Sequence, residues 1–429
     1  MGSKRVRVFV TSVAAVTIGI YAEIGFSSDS EKTKSDPVDL AVAKGLKWLV
    51  SVQGKDGGWG QDGGETSYVR EGERLESNGN DVANTAVVAE ALLQTGTTMT
   101  RGEYREPLRR AVDFVLKHVE QSPAEGLAVT DQQGTQIQRK LGPYIDTFVT
   151  SKLLAELDGT MSDAKANARV RQDLQKCVAK IEKAQLKDGS WNISGGWAPI
   201  LGTSMASQSL AIAQSKGAAN AEMAMARVDA YTLQSAVVAA PSPTVMAGAS
   251  ASDASGVYSG SGAGSGGGIG SGSGGGVGSA KGGGFGPGST ASTVEVSAVS
   301  AGIPLYKKAQ ELEQLSRTEK DRQKNAKQIQ EITGQLSDSR FVTGFGSIGG
   351  EEFFSYLNIS ESLRRTGGPE WKKWQAEMTA KLLKMQNEDG TWAGHHCITG
   401  RVAVTSAAIL LLTADRERAP IVQSSKTKQ

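Results

Sequence analysis

One seven-residue pattern constrains this chain more than any other feature. Gln53-Gly-Lys-Asp56-Gly57-Gly-Trp59, Gln185-Leu-Lys-Asp188-Gly189-Ser-Trp191 and Gln386-Asn-Glu-Asp389-Gly390-Thr-Trp392 all read Q-x-x-D-G-x-W. An amphipathic helical pattern precedes each copy, and an Ala/Leu/Thr-rich apolar helix follows it. A period above about forty residues between such copies points to a helical array in which no unit buries its apolar face alone.

The residue types fit a staple. Asp-Gly is turn chemistry, with Asp capping the turn and Gly accepting positive φ after a helix end. Gln at the helix end is a hydrogen-bond partner for nearby backbone, and Trp offers a large flat surface against the next unit. A second signature marks the apolar helices. Thr85, Thr147, Thr203 and Thr405 are each followed seven residues later by leucine, at Leu92, Leu154, Leu210 and Leu412. Positions i, i+4 and i+7 share a face, so these helices carry a narrow stripe suited to close packing. Amphipathic helices alternate with apolar ones, as expected of an outer and an inner layer. The fold class is therefore all-α.

The repeats occupy 36–240 and 302–415. Between them, 241–301 is a Gly/Ser-rich insertion with 18 glycines between Gly256 and Gly288. Such a stretch has little to bury and much backbone entropy to lose, so disorder is expected there. Pro304 opens a long charged helix pattern that reads as projecting from the body. The tail, 416–429, is polar and basic. At the other end, Lys4, Arg5 and Arg7 precede an apolar run from Val8 to Ala22, so 1–28 reads as a signal peptide or an uncleaved anchor. Export, with membrane contact through this segment, is the expectation. A net charge of +2 gives no electrostatic reason to expect nucleic acid. Two cysteines, Cys177 and Cys397, exclude a disulfide scaffold.

The Q-x-x-D-G-x-W copies with their Thr/Ala/Leu helices resemble the repeats of the terpenoid cyclase and protein prenyltransferase family, known as prenyltransferase/squalene-oxidase or QW repeats. The resemblance implies an α–α toroid of about five or six helical hairpins with a central cavity, squalene–hopene cyclase-like in fold. In enzymes of that family the cavity takes isoprenoid substrates. The chemistry motifs are missing here: no D-x-D-D, no Asp-rich metal motif and no Asp-x-Cys zinc site occurs.

Among candidate site residues, His395, His396 and Cys397 form the one cluster able to carry chemistry, with zinc as the metal that such ligands would take. Helix-end capping and packing is the competing account. Asp81 is a further catalytic candidate, although an Asp before a helix is the expected N-cap. Asp146 reads the same way. Glu351 and Glu352 read as first-turn acids suited to the helix dipole, His118 as a solvated surface residue, and Cys177 as a small core residue. The preferred function is an exported toroid that binds a small hydrophobic ligand or a protein partner without a catalytic motif. The alternative is a cyclase- or prenyltransferase-like enzyme acting on an isoprenoid lipid.

Overall fold

A computed structural model describes residues 36–61, 79–193, 199–218, 220–238, 303–343, 348–395 and 397–416. The expected signal segment 1–28, the insertion 241–301 and all of the tail but Arg416 lie outside the described residues. The described residues from Pro37 onward belong to one compact unit. The described residues are all-α, with no strand and a single isolated bridge between Trp59 and Asp81.

The helices in chain order are α1 (Pro37–Ser51), α2 (Val82–Gln94), α3 (Arg105–Gln121), α4 (Gln136–Leu141) and α5 (Ile145–Leu157). Next come α6 (Ala164–Ala184), α7 (Pro199–Ser215), α8 (Glu222–Val238), α9 (Ile303–Leu315) and α10 (Glu319–Lys324). The last are α11 (Ala326–Gln335), α12 (Ser339–Thr343), α13 (Gly350–Thr366), α14 (Gly368–Met385) and α15 (Arg401–Leu412). Two kinds alternate. Helices α1, α3, α6 and α14 bury one stripe each, such as Leu108, Val112, Val115 and Val119 of α3. Helices α2, α5, α13 and α15 are buried on nearly every side. The buried helices pack in succession, α2 on α5, then α7, α9, α13 and α15, and α15 packs again on α2.

All three motifs make the same bonds. The indole Nε1 of Trp59, Trp191 and Trp392 donates to Leu49 O (2.6 Å), Ile181 O (2.7 Å) and Leu382 O (2.8 Å) in the preceding helix. Their backbone N–H groups donate to the hydroxyls of Thr85, Thr203 and Thr405 in the following buried helix. Asp56, Asp188 and Asp389 each accept the backbone N–H two residues on. Each glutamine amide donates to the carbonyl of its motif glycine and to a carbonyl in the next half-buried helix: Gln53 to Pro107, Gln185 to Ala224, Gln386 to Ala41. The last of these bonds joins the final hairpin to the first helix. Gly57, Gly189 and Gly390 have φ near +90°, and at Gly189 a Cβ would lie 2.2 Å from Arg227 O. Glycine is therefore required on two counts.

One expectation fails here. The charged segment after Pro304 does not project. Leu305, Tyr306, Ala309 and Leu312 are buried, and α9 packs among α7, α8 and α13. Its charge is absorbed by pairing: Arg317, just past α9, donates to Glu313, Asp229 and the Ser207 hydroxyl. The pattern then breaks at Thr318, whose capping box starts α10.

Candidate functional site

The connections that lead from a half-buried helix into the next buried one are long, and the returns, apart from the stretch 316–349 that follows α9, are short. The stretches 52–81, 122–144, 185–198, 239–302 and 386–400 lead into α2, α5, α7, α9 and α15. Returns such as 158–163, 216–221 and the lone Gly367 are brief. The N-termini of buried helices meet one another. Asp146, in the first turn of α5, accepts Ala83 N–H of α2 through Oδ1 (3.1 Å). Gln136 of α4 joins the lead-in of α15, donating to the Thr399 hydroxyl (2.9 Å) and accepting from Thr399 and Gly400 N–H (3.0 Å each). At the start of α13, a Cβ on Gly350 would lie 2.2 Å from Ile398 O, so only glycine allows that approach. Long loops on a rigid scaffold are where binding residues concentrate, which makes this end the candidate site.

Asp81 caps α2, its Oδ1 accepting Asn84 N–H at 2.7 Å. The expectation for Asp146 needs correction: it caps α2, not its own helix, and its Oδ2 accepts Gln138 Nε2 at 2.7 Å. Both carboxyls are buried. Burial first, and then Asp146's charge, raises the Asp81 pKa to about 7. Burial raises that of Asp146 to about 6, against the pull of the Gln138 hydrogen bond.

A second group of carboxyls sits in the first turn of α13, where the sequence reads them as acids suited to the helix dipole. Glu351 and Glu352 are fully buried. Glu352 accepts Gly349 N–H (2.8 Å) and the Tyr306 hydroxyl (3.3 Å). The Cys397 thiol is hydrogen-bonded to Glu351. Burial and the neighbouring Glu351 charge push the Glu352 pKa well up, favouring its neutral acid form. The same two causes push the Cys397 thiol far above its ordinary value, which suppresses the thiolate a nucleophile needs. Cys397 also has φ 59°, the left-handed region unusual for a residue with a side chain.

Of the His/Cys cluster, Cys397 is buried and His395 is exposed, held by its N–H on Ile348 O (2.8 Å). His396 lies outside the described residues. Among the described residues no three His, Cys, Asp or Glu side chains converge as metal ligands. His118 is half-buried: its ring packs on Phe114 (centroids 4.4 Å) and its Nδ1 bonds Phe114 O. Cys177 is buried in α6, and burial raises its thiol pKa to about 12.

Polar side chains that the sequence reading missed cross the middle of the buried helices. Lys152 of α5 pairs with Glu90 of α2 (3.2 Å) and with Glu361 of α13 (3.1 Å). Gln208 of α7 donates to Asn358 Oδ1 of α13 (2.8 Å), and Asn358 Nδ2 donates to the Ser204 hydroxyl (2.9 Å). In the packing succession, α5 and α13 are separated by α7 and α9, so these bonds span the space between them. A signal for them exists: Glu90, Lys152 and Gln208 each stand five residues after the stripe threonine, and Glu361 five after Tyr356, which with Leu363 seven residues on stands in α13 in place of the Thr/Leu pair.

Among the described residues, no helix is long and apolar enough to cross a membrane. No protein-family model matches the chain, and comparison with curated proteins returns no match.

Proposed function

We propose that the chain is an α–α toroid of five or six hairpins, exported from the cell, that binds a ligand or protein partner on its rim and turns over no lipid. The packing succession that returns from α15 to α2, and the Gln386 bond that ties the last hairpin to α1, support the toroid. The thrice-repeated bonding of the motifs supports kinship with the terpenoid cyclase and prenyltransferase repeats. Export rests on the basic start and apolar run before Glu23.

One observation supports the non-catalytic reading: the buried helices are joined by the bridges Glu90–Lys152–Glu361 and Gln208–Asn358–Ser204, which in such a toroid would take up the space an isoprenoid needs. A terpenoid cavity needs apolar, aromatic walls to hold a carbocation, and opening this one would strand buried charges. Binding is then left to the end with the long connections.

The test is to incubate the purified protein with squalene and with farnesyl diphosphate, then analyse extracts by gas chromatography and mass spectrometry. Native mass spectrometry of the same sample reads any retained lipid or zinc. Unchanged substrates and a bare protein mass are expected. A cyclised or prenylated product that disappears in Glu352→Gln would overturn the proposal in favour of the lipid enzyme, with the buried acid as proton donor.

A further inference from the structure

The lead-in to α5 contains α4, a helix of six residues that closes on itself. The Thr135 hydroxyl accepts Gln138 N–H (3.3 Å), and Gln138 Oε1 accepts Thr135 N–H (3.2 Å). This capping box makes α4 one stiff piece. Gly134 and Gly142 flank it with φ of 78° and 116°, backbone that glycine adopts freely and other residues do not. Ile137 and Leu141, one turn apart on one face, are each 1% exposed and belong to the main core. Arg139, on another face, is exposed.

The piece lies across the starts of three buried helices. Leu141 O comes so close to α7 that a Cβ on Gly202 would lie 2.4 Å from it. Gln138 holds Asp146 of α5, and Gln136 holds Thr399 and Gly400 ahead of α15. The Gln136 N–H donates to Gln61 Oε1, in the lead-in to α2. Among the described residues, no backbone-to-backbone hydrogen bond ties 135–141 to another element. The polar latches are glutamine amides, and such groups exchange a protein partner for water at small net cost. Moving α4 outward therefore costs chiefly the burial of two aliphatic side chains.

We propose that α4 is a lid over this end of the molecule, swinging out as one piece about Gly134 and Gly142. Opening releases the Asp146 carboxyl, the Thr399 hydroxyl and the Thr399 and Gly400 N–H groups together, all of which the lid's own glutamines occupy when it is shut. Glycines at both ends of a short element are suited to absorb the change in φ and ψ. What the open lid admits rests on the proposed rim site, whereas the motion itself does not, so either can fail alone.

Amide hydrogen exchange of the full chain, read by peptide mass spectrometry in urea below the unfolding transition, tests the motion with no ligand present. The peptide covering 135–142 should exchange at least about a hundredfold faster than the middles of α2 and α5. Its urea slope should lie above zero, because Ile137 and Leu141 become exposed, and well below that of α2 and α5. A slope of zero would mean fraying of single residues, and a slope equal to theirs would mean opening only with the whole molecule; either overturns the lid. A second reading uses Ile137→Cys and a thiol reagent under native conditions, with Cys177, fully buried in α6, as the internal control. The thiol at 137 should be modified at least about tenfold faster than Cys177. Modification of both at one rate would also overturn the proposal.

Discussion

Asp81 and Asp146 hold the same helix end from two sides, and burial makes both expensive to ionise. Their folded-state values, about 7 and about 6, lie above the unfolded value of 3.8. The folded state therefore binds more protons in that interval, and the sign follows. Stability from these groups is fully present below about pH 4 and is lost as pH rises through 6 and 7, at up to roughly 1.4 kcal/mol per pH unit for each group. Urea unfolding followed by tryptophan fluorescence should show the midpoint falling between about pH 4 and about pH 7. Asp81→Asn keeps an N-cap acceptor and removes one titrating group, so it should flatten that slope. A midpoint that climbs over the same interval would mean that Asp81 and Asp146 gain more from their hydrogen bonds than burial costs them.

At the scale of elements, the unit of construction is the glutamine that ties one helix end to the next hairpin. Gln386 does this between α14 and α1, across 345 positions of sequence. Gln386→Leu leaves the Ala41 and Gly390 carbonyls without that donor and should cost about 1–3 kcal/mol, read by urea denaturation. Gln53→Leu and Gln185→Leu should cost similar amounts, and the three should add, because their seams share no partner. The motif was legible because its spacing repeats without slippage, and the stripe threonines because each accepts from a motif tryptophan or sits at the matching place. Asp146 was misread because a cap between two helices leaves no local trace: its partner, Ala83, is 63 positions away. Glu90, Lys152 and Glu361 escaped notice for a different reason. A charge in an apolar helix reads as a solvent-facing position, and only the packing of α2, α5 and α13 turns that position inward. The segment after Pro304 misled in the same way, since Glu313 and Arg317 neutralise each other inside the protein.

For the whole molecule, the interior bridges and the long connection between α8 and α9 decide what can be removed. Lys152→Met strands Glu90 beside Glu361. A buried pair broken on one side costs about 3–5 kcal/mol; because the Glu361 side chain is 30% exposed, about 2–3 kcal/mol is expected here. Adding Glu90→Gln and Glu361→Gln should recover most of that loss, which thermal unfolding reports directly. The 64 residues numbered 239–302 separate α8 from α9 in sequence, yet the two helices pack together. They run antiparallel: Gln310 of α9 bonds Thr232 of α8, and Arg317, further along, bonds Asp229, further back. From the Thr232–Gln310 bond, Val238 and Ile303 lie about 9 and about 10 Å away in the same direction, at 1.5 Å per residue. The two ends are then about one interhelical distance apart, about 8–10 Å, and about eight Gly/Ser residues reach across with slack. Replacing 239–302 by such a linker removes three doublings of loop length, worth about 0.6 kcal/mol each. The shortened protein should fold with the same circular dichroism spectrum and unfold with about 2 kcal/mol more stability. Loss of the cooperative transition would show that the replaced residues hold α8 and α9 together, and that the body of the protein is not closed by the helices alone.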